Sequence, residues 1–397
     1  MNRPIAITDD IYWVGVNDRE TKLFEGIWPL PEGVSYNAYI INDDKTALID
    51  TVKNCYLTQL LQKIQNLLGD GRKLDYLIIN HMEPDHSGAI EVIARVFPDI
   101  RIIGNQKTIE FLEGYYGITR NVSVVKDGDI LDLGRHKLCF YLTPMVHWPE
   151  TMMTYDTKDK LLFSGDAFGG FGALNGGLFD DEIDLNFYED EILRYYANIV
   201  GKYSPMVQRA FTKLAGLEIK IIAATHGAVW RKNPKCIIDY YDRWSRYEAR
   251  KGVMLAYASM YGNTKRMAEA VARGLVEGGI EEVRMHNVSE SHVSFMIKDA
   301  WKFRGIILGS CTYDLKLFPL MKNLTDLLEH KLLKNRHLGI FGSYGWSGGA
   351  LTALQEFAAN VKWDLVKPQV EALRAPSAKV LEQCRELGKN MAAGLNA

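Results

Sequence analysis

Residues 74–86 read LDYLIINHMEPDH, an apolar segment that runs directly into side chains able to bind metal ions. Alternate side chains of an extended segment point to the same side, so we expect His81, Glu83 and Asp85 to share one face of a loop. The neighbouring His86 can then turn toward a second ion. The proline between Glu83 and Asp85 stiffens the loop and lowers the entropy lost when the ligands are fixed. This stretch therefore predicts a metal site at the end of a strand.

Three further metal-capable side chains each close an apolar, strand-like segment: His147, Asp166 and His226. With the first stretch they make a set of four imidazoles and three carboxylates. If buried, such a set would repel itself unless multivalent cations held it together. We expect ordinary surface or core roles for the remaining histidines, which are His136, His286, His292, His330 and His337. The seven other ligands are enough for two metal ions.

Charge counting indicates which metal would suit this set. The charges of three carboxylates, two ferrous ions and one bridging hydroxide sum to zero. Hard carboxylates combined with imidazoles suit iron, whereas thiolate-rich sites suit zinc. Zinc also does not change its oxidation state, so it could not take part in redox chemistry. We therefore predict two iron ions.

A second kind of site is predicted at residues 259–264, which read SMYGNT between a strand and a helix. Hydroxyl groups, a glycine and successive backbone N–H groups at a helix start can hold a phosphate dianion. Taken alone, the stretch also fits an ordinary strand–helix turn. Two more loops, residues 310–314 and 342–349, follow strands of the same predicted sheet, where flavodoxin-like folds gather loops around a flavin ring. Trp346 or Tyr313 could stack on that ring.

FMN fits better than FAD, because the chain has no adenylate-binding motif. The predicted flavin contacts are Ser259, Met260, Tyr261, Gly262, Asn263, Thr264, Ser310, Cys311, Thr312, Tyr313, Ser343, Tyr344, Gly345, Trp346, Ser347 and Gly348.

The composition limits the remaining classes of function. A net charge of −2 offers no basic footprint for nucleic acid and no polybasic membrane patch. The N-terminal segment MNRPIAITDD lacks the apolar core of a signal peptide, and no apolar run approaches the roughly 20 residues of a membrane-spanning helix, so we expect a cytoplasmic protein. Five scattered cysteines exclude a disulfide framework and a C-x-x-C iron–sulfur module. Electrons must therefore arrive from a separate protein.

The pattern of elements divides the 397 residues into two parts. The first reads as short strands with helices between some of them, including one helical pattern through Glu189–Leu214, and predicts mixed sheets covered by helices. From Val253 onward, strands alternate regularly with helices, which predicts a five-stranded, doubly wound parallel sheet. A polar, aromatic stretch at Tyr240–Gly252 separates the two. We place the domains at residues 1–248 and 252–397.

At this point the chain resembles a known family. Its first 248 residues are similar to a metallo-β-lactamase-type domain, whose hydrolytic members usually carry H-x-H-x-D-H, and here Glu83 occupies the second histidine position. With a flavodoxin-like domain behind it, this is the pattern of flavodiiron proteins, also called A-type flavoproteins or rubredoxin:oxygen oxidoreductases. The resemblance implies an α/β fold, with an αβ/βα sandwich followed by a flavodoxin-like doubly wound parallel sheet.

The resemblance also implies roles for the ligands. His81, Glu83 and His147 would bind the iron nearer the flavin. Asp85, His86 and His226 would bind the other iron, although some members of the family leave the His86 position uncoordinated. Asp166 would bridge the two ions.

Three other residues are candidates near the ligands. Tyr195 or Tyr196 could reach the site as a hydrogen-bond donor, with packing within a helix as the alternative. Glu25 stands where several relatives carry a histidine close to the metals.

The leading hypothesis is an oxidoreductase that passes electrons through FMN to a diiron centre and reduces dioxygen to water, nitric oxide to nitrous oxide, or both. Its implied partners are an external electron donor such as rubredoxin and a second copy of the chain, in a head-to-tail homodimer or a dimer of dimers. One alternative is a zinc-dependent hydrolase fused to a flavodoxin-like domain, against which Glu83 argues. The other is an electron carrier with a dead metal domain, against which the complete set of seven ligands argues.

Overall fold

The computed structural model describes residues 3–69 and 73–397; Met1 and Asn2, which begin the N-terminal segment discussed above, lie outside this range. The chain forms two compact units. The first comprises Met1–Tyr196 and Tyr203–Asp242, and the second comprises Ala197–Lys202 and Arg243–Ala397. None of the helices in the described ranges combines the length and apolar character needed to cross a membrane.

The first unit is built from short strands and seven helices within the described residues. Its strands are β1 (Ile5–Ala6), β2 (Ile11–Trp13), β3 (Val16–Asp18), β4 (Leu23–Phe24), β5 (Trp28–Pro29), β6 (Val34–Tyr36), β7 (Tyr39–Asn42), β8 (Thr46–Ile49), β9 (Tyr76–Ile78), β10 (Arg101–Gly104), β11 (Val122–Val124), β12 (Ile130–Asp132), β13 (Lys137–Leu142), β14 (Met152–Asp156), β15 (Leu161–Gly165) and β16 (Ile221–Ala224). Its helices are α1 (Leu57–Leu68), α2 (Pro84–Ser87), α3 (Ile90–Val96), α4 (Gln106–Tyr116), α5 (Leu185–Tyr195), α6 (Ser204–Leu214) and α7 (Pro234–Ser245), which ends at the boundary.

Two sheets share one core in this unit. The first has the strand order β1-β2-β7-β8-β9-β10-β11, and the second has the order β12-β13-β14-β15-β16. Apolar side chains of both sheets, such as Ile49 and Ile78 from the first and Phe140 and Phe163 from the second, belong to one buried cluster. The predicted αβ/βα sandwich is confirmed.

The second unit is the doubly wound sheet that the alternating pattern predicts. Its strands are β17 (Arg250–Ala258), β18 (Val283–Asn287), β19 (Phe303–Tyr313), β20 (Lys316–Leu317), β21 (His337–Tyr344), β22 (Asp364–Leu365) and β23 (Val370–Leu373). Its helices are α8 (Asn263–Glu277), α9 (Val293–Lys302), α10 (Pro319–His330), α11 (Ala350–Val361) and α12 (Ala378–Asn396). The parallel strands lie in the order β18-β17-β19-β21, β22 and β23 both pair in parallel with β21, and β20 adds an antiparallel edge to β19. This order reverses direction next to β17, and ligands bind at such switch points.

Two predicted elements differ in the structure. The pattern through Glu189–Leu214 is not one helix: α5 gives way to a π-helical turn at Tyr196–Val200 and a 3₁₀ turn at Gly201–Tyr203 before α6 begins. Pro205 lies in the first turn of α6, where its missing N–H costs nothing, and it cannot continue a helix from before. The stretch Tyr240–Gly252 is likewise divided between the end of α7 and the start of β17.

Candidate metal centre and flavin pocket

One group of potential ligands gathers beyond the carboxyl end of β9. Donor atoms of His81, Glu83, His147 and Asp166 all lie within 4.8 Å of one another. Glu83 Oε2 is 3.3 Å from His81 Nε2 and 3.2 Å from His147 Nε2. Glu83 is 8% exposed and the other three are also buried. The donor atoms of the four side chains thus converge on one buried point.

A second group consists of Asp85, His86 and His226, whose donor atoms also lie within 4.8 Å of one another. Asp85 Oδ2 is 3.3 Å from His86 Nε2 and 3.4 Å from His226 Nε2. The expectation that Asp85 shares a face with His81 and Glu83 was wrong. The reason is that α2 begins at Pro84, so the chain turns helically after Glu83 and carries Asp85 and His86 together to the second group.

Asp166 reaches both groups with its two carboxylate oxygens. Oδ2 lies 3.0 Å from His147 Nε2 and 3.6 Å from His81 Nε2. Oδ1 lies 3.1 Å from His86 Nε2 and 3.7 Å from His226 Nε2. Each oxygen faces a different pair of imidazoles, which is the arrangement that a bridging ligand needs.

The orientation of two imidazoles is set by residues that the sequence patterns did not reveal. Glu150 is completely buried; its Oε1 accepts a hydrogen bond from the Met82 backbone N–H at 2.8 Å and lies 2.7 Å from His81 Nδ1. The Ser35 carbonyl oxygen lies 2.7 Å from His226 Nδ1. A proton on Nδ1, donated to these acceptors, leaves each Nε2 lone pair facing the cluster. The role of Glu150 could not be predicted from a local motif, because Glu150 lies 69 residues from His81 along the chain.

Charges within the cluster are strongly coupled. Burial alone would raise the pKa of Asp166, but the positive charges of His86 and His81 hold it well below its usual range. Burial would lower the pKa of His86, yet the carboxylates of Asp85 and Asp166 raise it to about 9. Burial would also lower the pKa of His147, but its hydrogen bonds with Asp166 and Glu83 raise that pKa to about 9. The imidazole protons therefore occupy positions that metal cations can take, and metal loading releases those protons.

Two features of the buried cluster fit two cations. Both carboxylate oxygens of Asp85 are buried without a hydrogen-bond partner among the described residues. The Nε2 atoms of His86 and His226 face each other at 3.0 Å. Buried polar atoms of this kind are costly unless something charged is bound between them. An oxygen- and imidazole-rich donor set without thiolates suits iron.

Of the two tyrosine candidates, Tyr195 is the one beside the cluster. It is fully buried, its ring centroid is 5.4 Å from that of His226, and its hydroxyl has no hydrogen-bond partner among the described residues. Tyr196 instead shares a 2.8 Å hydrogen bond with the hydroxyl of Ser204 and packs its ring 4.9 Å from Tyr241. Tyr196 therefore packs within the fold and does not donate a hydrogen bond to the metal cluster.

Aromatic rings close off one side of the cluster. Around His226 lie Phe24 at 5.4 Å and Tyr36 at 5.8 Å between ring centroids, in addition to Tyr195. Glu25, next to Phe24, accepts a hydrogen bond from Trp28 Nε1 at 2.9 Å. Burial of its carboxyl group, together with the charge of Glu83, raises the pKa of Glu25 to about 7.

The second unit contains a cavity of about 460 Å³ at the carboxyl ends of β17, β19 and β21. This volume lies within the range of about 300–1,000 Å³ typical of ligand pockets. Predicted residues that line it are Ser259, Met260, Tyr261, Asn263, Thr264, Cys311, Thr312, Tyr313, Ser343, Tyr344, Gly345, Trp346 and Ser347. The lining also includes Asp314, Leu315 and Arg374, which were not among the predicted contacts. Arg374 follows β23, so only the fold brings it there.

Three predicted contacts do not line this cavity. Ser310 is fully buried, and its hydroxyl donates a hydrogen bond within β19, to the Cys311 carbonyl at 2.8 Å. Gly348 is not part of the lining, and a Cβ added there would stand 3.3 Å from Glu371 Oε1. Gly262 precedes α8 with a φ of 90°, and its N–H donates to Ser259 Oγ at 3.0 Å. Its contribution is to shape the loop.

The phosphate loop has the features expected of an anion site. Helix α8 begins at Asn263 without a side-chain cap, so its first N–H groups are available to a ligand. Thr264 Oγ1 and Ser343 Oγ, 2.9 Å apart and buried, link this loop to the end of β21. Trp346 is 89% exposed and Tyr261 is 94% exposed, so both rings are free to lie against a flat ligand.

Comparisons with known proteins identify the two domains. A family model described as ODP family beta lactamase matches residues 34–227, and a flavodoxin model matches residues 255–388. The chain is 38% identical to a nitric oxide reductase of Moorella thermoacetica, with 99% of each chain covered. It is 35% identical to an anaerobic nitric oxide reductase flavorubredoxin of Escherichia coli, covering 98% of this chain and 82% of that protein.

Solved structures give the same result. Rubredoxin oxygen:oxidoreductase from Desulfovibrio gigas matches with a TM-score of 0.94 at 30% identity, covering 99% of this chain and 98% of that one. The flavodiiron protein of Giardia intestinalis matches with a TM-score of 0.94 at 28% identity, covering 99% of this chain and 97% of that one. Fold and sites thus define an oxidoreductase in which a β-lactamase-like metal domain is joined to an FMN-binding flavodoxin domain. The chain belongs to the flavodiiron protein family, whose cofactors are FMN and a diiron centre.

Proposed function

We propose that the chain takes electrons from an external protein donor, passes them through FMN to a diiron centre, and reduces nitric oxide to nitrous oxide, dioxygen to water, or both. The observation that carries this proposal is Asp166, whose two oxygens face two separate pairs of imidazoles. A site for a single ion has no need of such a bridge. The proposed ligands are His81, Glu83, Asp85, His86, His147, Asp166 and His226.

The proposed division of ligands follows the two groups. His81, Glu83 and His147 serve one ion, Asp85, His86 and His226 serve the other, and Asp166 serves both. Assignment of His86 is supported by its Nε2, which lies 3.1 Å from the bridging oxygen of Asp166.

When bound, iron supplies the redox-active site for the gas, and FMN supplies the store of electrons. The residues of the chain orient and isolate that chemistry. Glu150 and the Ser35 carbonyl each accept the Nδ1 proton of an imidazole and so aim Nε2 inward. Burial of the ligands excludes bulk water, which strengthens every electrostatic contact among them.

The names of the relatives support both gases. The two relatives at 38% and 35% identity are named as nitric oxide reductases, whereas the D. gigas structure at 30% identity is named as an oxygen oxidoreductase. We therefore place nitric oxide first and keep dioxygen as the second substrate. The name flavorubredoxin and the D. gigas name also support rubredoxin as the proposed donor.

Anaerobic single-turnover mixing tests the proposal. Iron-loaded protein with reduced FMN is mixed with each gas separately, flavin reoxidation is followed by absorbance, and nitrous oxide is measured by gas chromatography. We expect rapid reoxidation with at least one gas, and its loss in Asp166→Asn. The control is Asp99→Asn, because the Asp99 side chain is 84% exposed. Tight retention of zinc with ester or amide hydrolysis, and no gas-dependent reoxidation, would favour the hydrolase instead.

We also propose the domain limits 1–248 and 252–397 and a cytoplasmic location. The location agrees with the five cysteines, none of which forms a disulfide among the described residues.

A further inference from the structure

Lys63 of α1 is a buried cation without a counter-ion. The residue is 1% exposed, and its ammonium group donates to the Gly15 carbonyl and lies 4.0 Å from the centre of the Trp13 ring. No ion pair of Lys63 occurs among the described residues, and burial lowers its pKa to about 8. A buried ammonium group is costly unless a negative charge or several acceptors compensate it.

Lys63 lines a cavity in the first unit, and none of the proposed metal ligands belongs to its lining. The cavity has a volume of about 160 Å³ and is also lined by Asn17, Gln59, Gly176 and Gly177. Among the described residues, no acidic side chain takes part in the lining. At about 30 Å³ for each water, the space suits a ligand of only a few heavy atoms.

About half of the lining is apolar, and its polar part includes two solvent-accessible backbone donors. The backbone N–H groups of the consecutive residues Gly176 and Gly177 bond to no other described residue. Asn17 Oδ1 already accepts from the Leu174 N–H at 2.8 Å, which leaves its amide nitrogen as the free end. Successive backbone N–H groups near a lysine form the kind of concavity that binds anions.

We infer that this cavity is a binding site for a small oxyanion of the carboxylate or bicarbonate class. Such an anion pairs with the Lys63 ammonium and accepts from the Gly176 and Gly177 N–H groups. The small volume of the cavity favours a ligand of a few heavy atoms. The site is separate from the proposed gas chemistry, but it ties α1 to the segment that runs from Asp166 past the buried Phe171 beside Tyr195. An anion here therefore stabilises the loop that begins at the metal cluster.

The test uses acetate as the probe and chloride as the reference at equal ionic strength. Thermal midpoints of the holoenzyme are measured as acetate is titrated into wild type, Lys63→Met and Lys73→Met. Methionine keeps the stem of the side chain and removes the charge, and Lys73 serves as control because its side chain is 76% exposed. We expect saturable stabilisation of wild type and Lys73→Met. Acetate should bind Lys63→Met at least about tenfold more weakly. Equal stabilisation of all three proteins, which acetate on the metals would produce, overturns the inference, as does no stabilisation of wild type.

A second measurement covers the case in which Lys63→Met does not fold. Crystals of the wild-type holoenzyme are grown in chloride and soaked in acetate. Planar density within hydrogen-bond distance of Lys63 Nζ, absent from the chloride crystals, supports the site. Water alone in the acetate soak overturns it.

Discussion

Glu150 shows how a residue outside the ligand set can control metal affinity. Its carboxylate is completely buried between His81 Nδ1 and the Met82 N–H. We predict that Glu150→Gln weakens iron binding about 10- to 100-fold, because a neutral amide supports the imidazole less strongly. Iron content after dialysis against a graded chelator measures the effect. Glu218→Gln, at a side chain that is 64% exposed, is the control. Unchanged iron retention in Glu150→Gln would contradict the predicted role.

Tyr195 carries a buried hydroxyl that has no partner among the described residues. Because an unpaired polar group is costly, we predict that Tyr195→Phe keeps or raises the free energy of unfolding, by up to about 1–3 kcal/mol. Tyr196→Phe is the matched control: it loses the bond to Ser204 and should destabilise by about 1 kcal/mol. Denaturant unfolding compares the two. Equal losses in both variants would mean that Tyr195 has a partner in the working protein, whereas slower gas turnover at full stability would assign its hydroxyl to the reaction.

The ligand set could be predicted from sequence because its members follow apolar, strand-like segments, and sites in α/β proteins form where strands end. The strands concerned belong to both sheets of the first unit. The contacts of Glu150 and Arg374 could not, because they depend on how separate elements pack. Asp85 was misplaced for a local reason: an alternating pattern assumes extended backbone, but Pro84 begins a helical turn.

At the scale of elements, the two ends of α8 offer a matched pair of glycines, one in the loop that precedes the helix and one just after it. Gly262, before the helix, has φ 90°, and Gly279, just after it, has φ 85°; neither position has an atom within 4 Å of an added Cβ. We predict that Gly262→Ala and Gly279→Ala lose similar stability, about 1 kcal/mol each, from the left-handed backbone. Only Gly262→Ala should weaken FMN binding, because only Gly262 shapes the backbone of the loop before α8.

Fluorescence titration of the apoprotein with FMN measures this difference. Equal FMN affinity in the two variants would show that the loop tolerates the change and that α8 does not position the phosphate.

Regular alternation of strands and helices from Val253 onward made the order of elements and the parallel sheet of the second unit predictable. The break between α5 and α6 was not predicted, because apolar spacing continues through it while the backbone loosens to a π-helical turn. The spacing of apolar residues indicates which face of a helix is buried, but it does not detect one extra residue in a single turn.

At the scale of the whole molecule, assembly remains the main prediction. Electrons must cross a short distance between cofactors, and the family resemblance implies a head-to-tail homodimer in which the FMN of one subunit meets the diiron site of the other. A two-fold pair of this kind closes on itself and contains two equivalent active sites.

Subunit mixing tests this arrangement. One subunit carries Asp85→Ala with His86→Ala, and the other carries Asn263→Ala with Thr264→Ala. We expect each parent to be inactive and the co-expressed heterodimer to recover one working site. No recovery, or full activity in a strict monomer, would show that transfer occurs within one chain.

The rings of Phe24, Tyr36 and Tyr195 around His226 affect which molecules can collect at the cluster. Nitric oxide and dioxygen are uncharged and apolar, so they partition from water into hydrocarbon-like surroundings, whereas a hydrated anion must shed its water to enter. On the proposed function, we therefore expect these rings to raise the local concentration of the gas above that in bulk water. Azide or nitrite should compete poorly with either gas in steady-state assays, and strong competition would mean that the surface of these rings is wet.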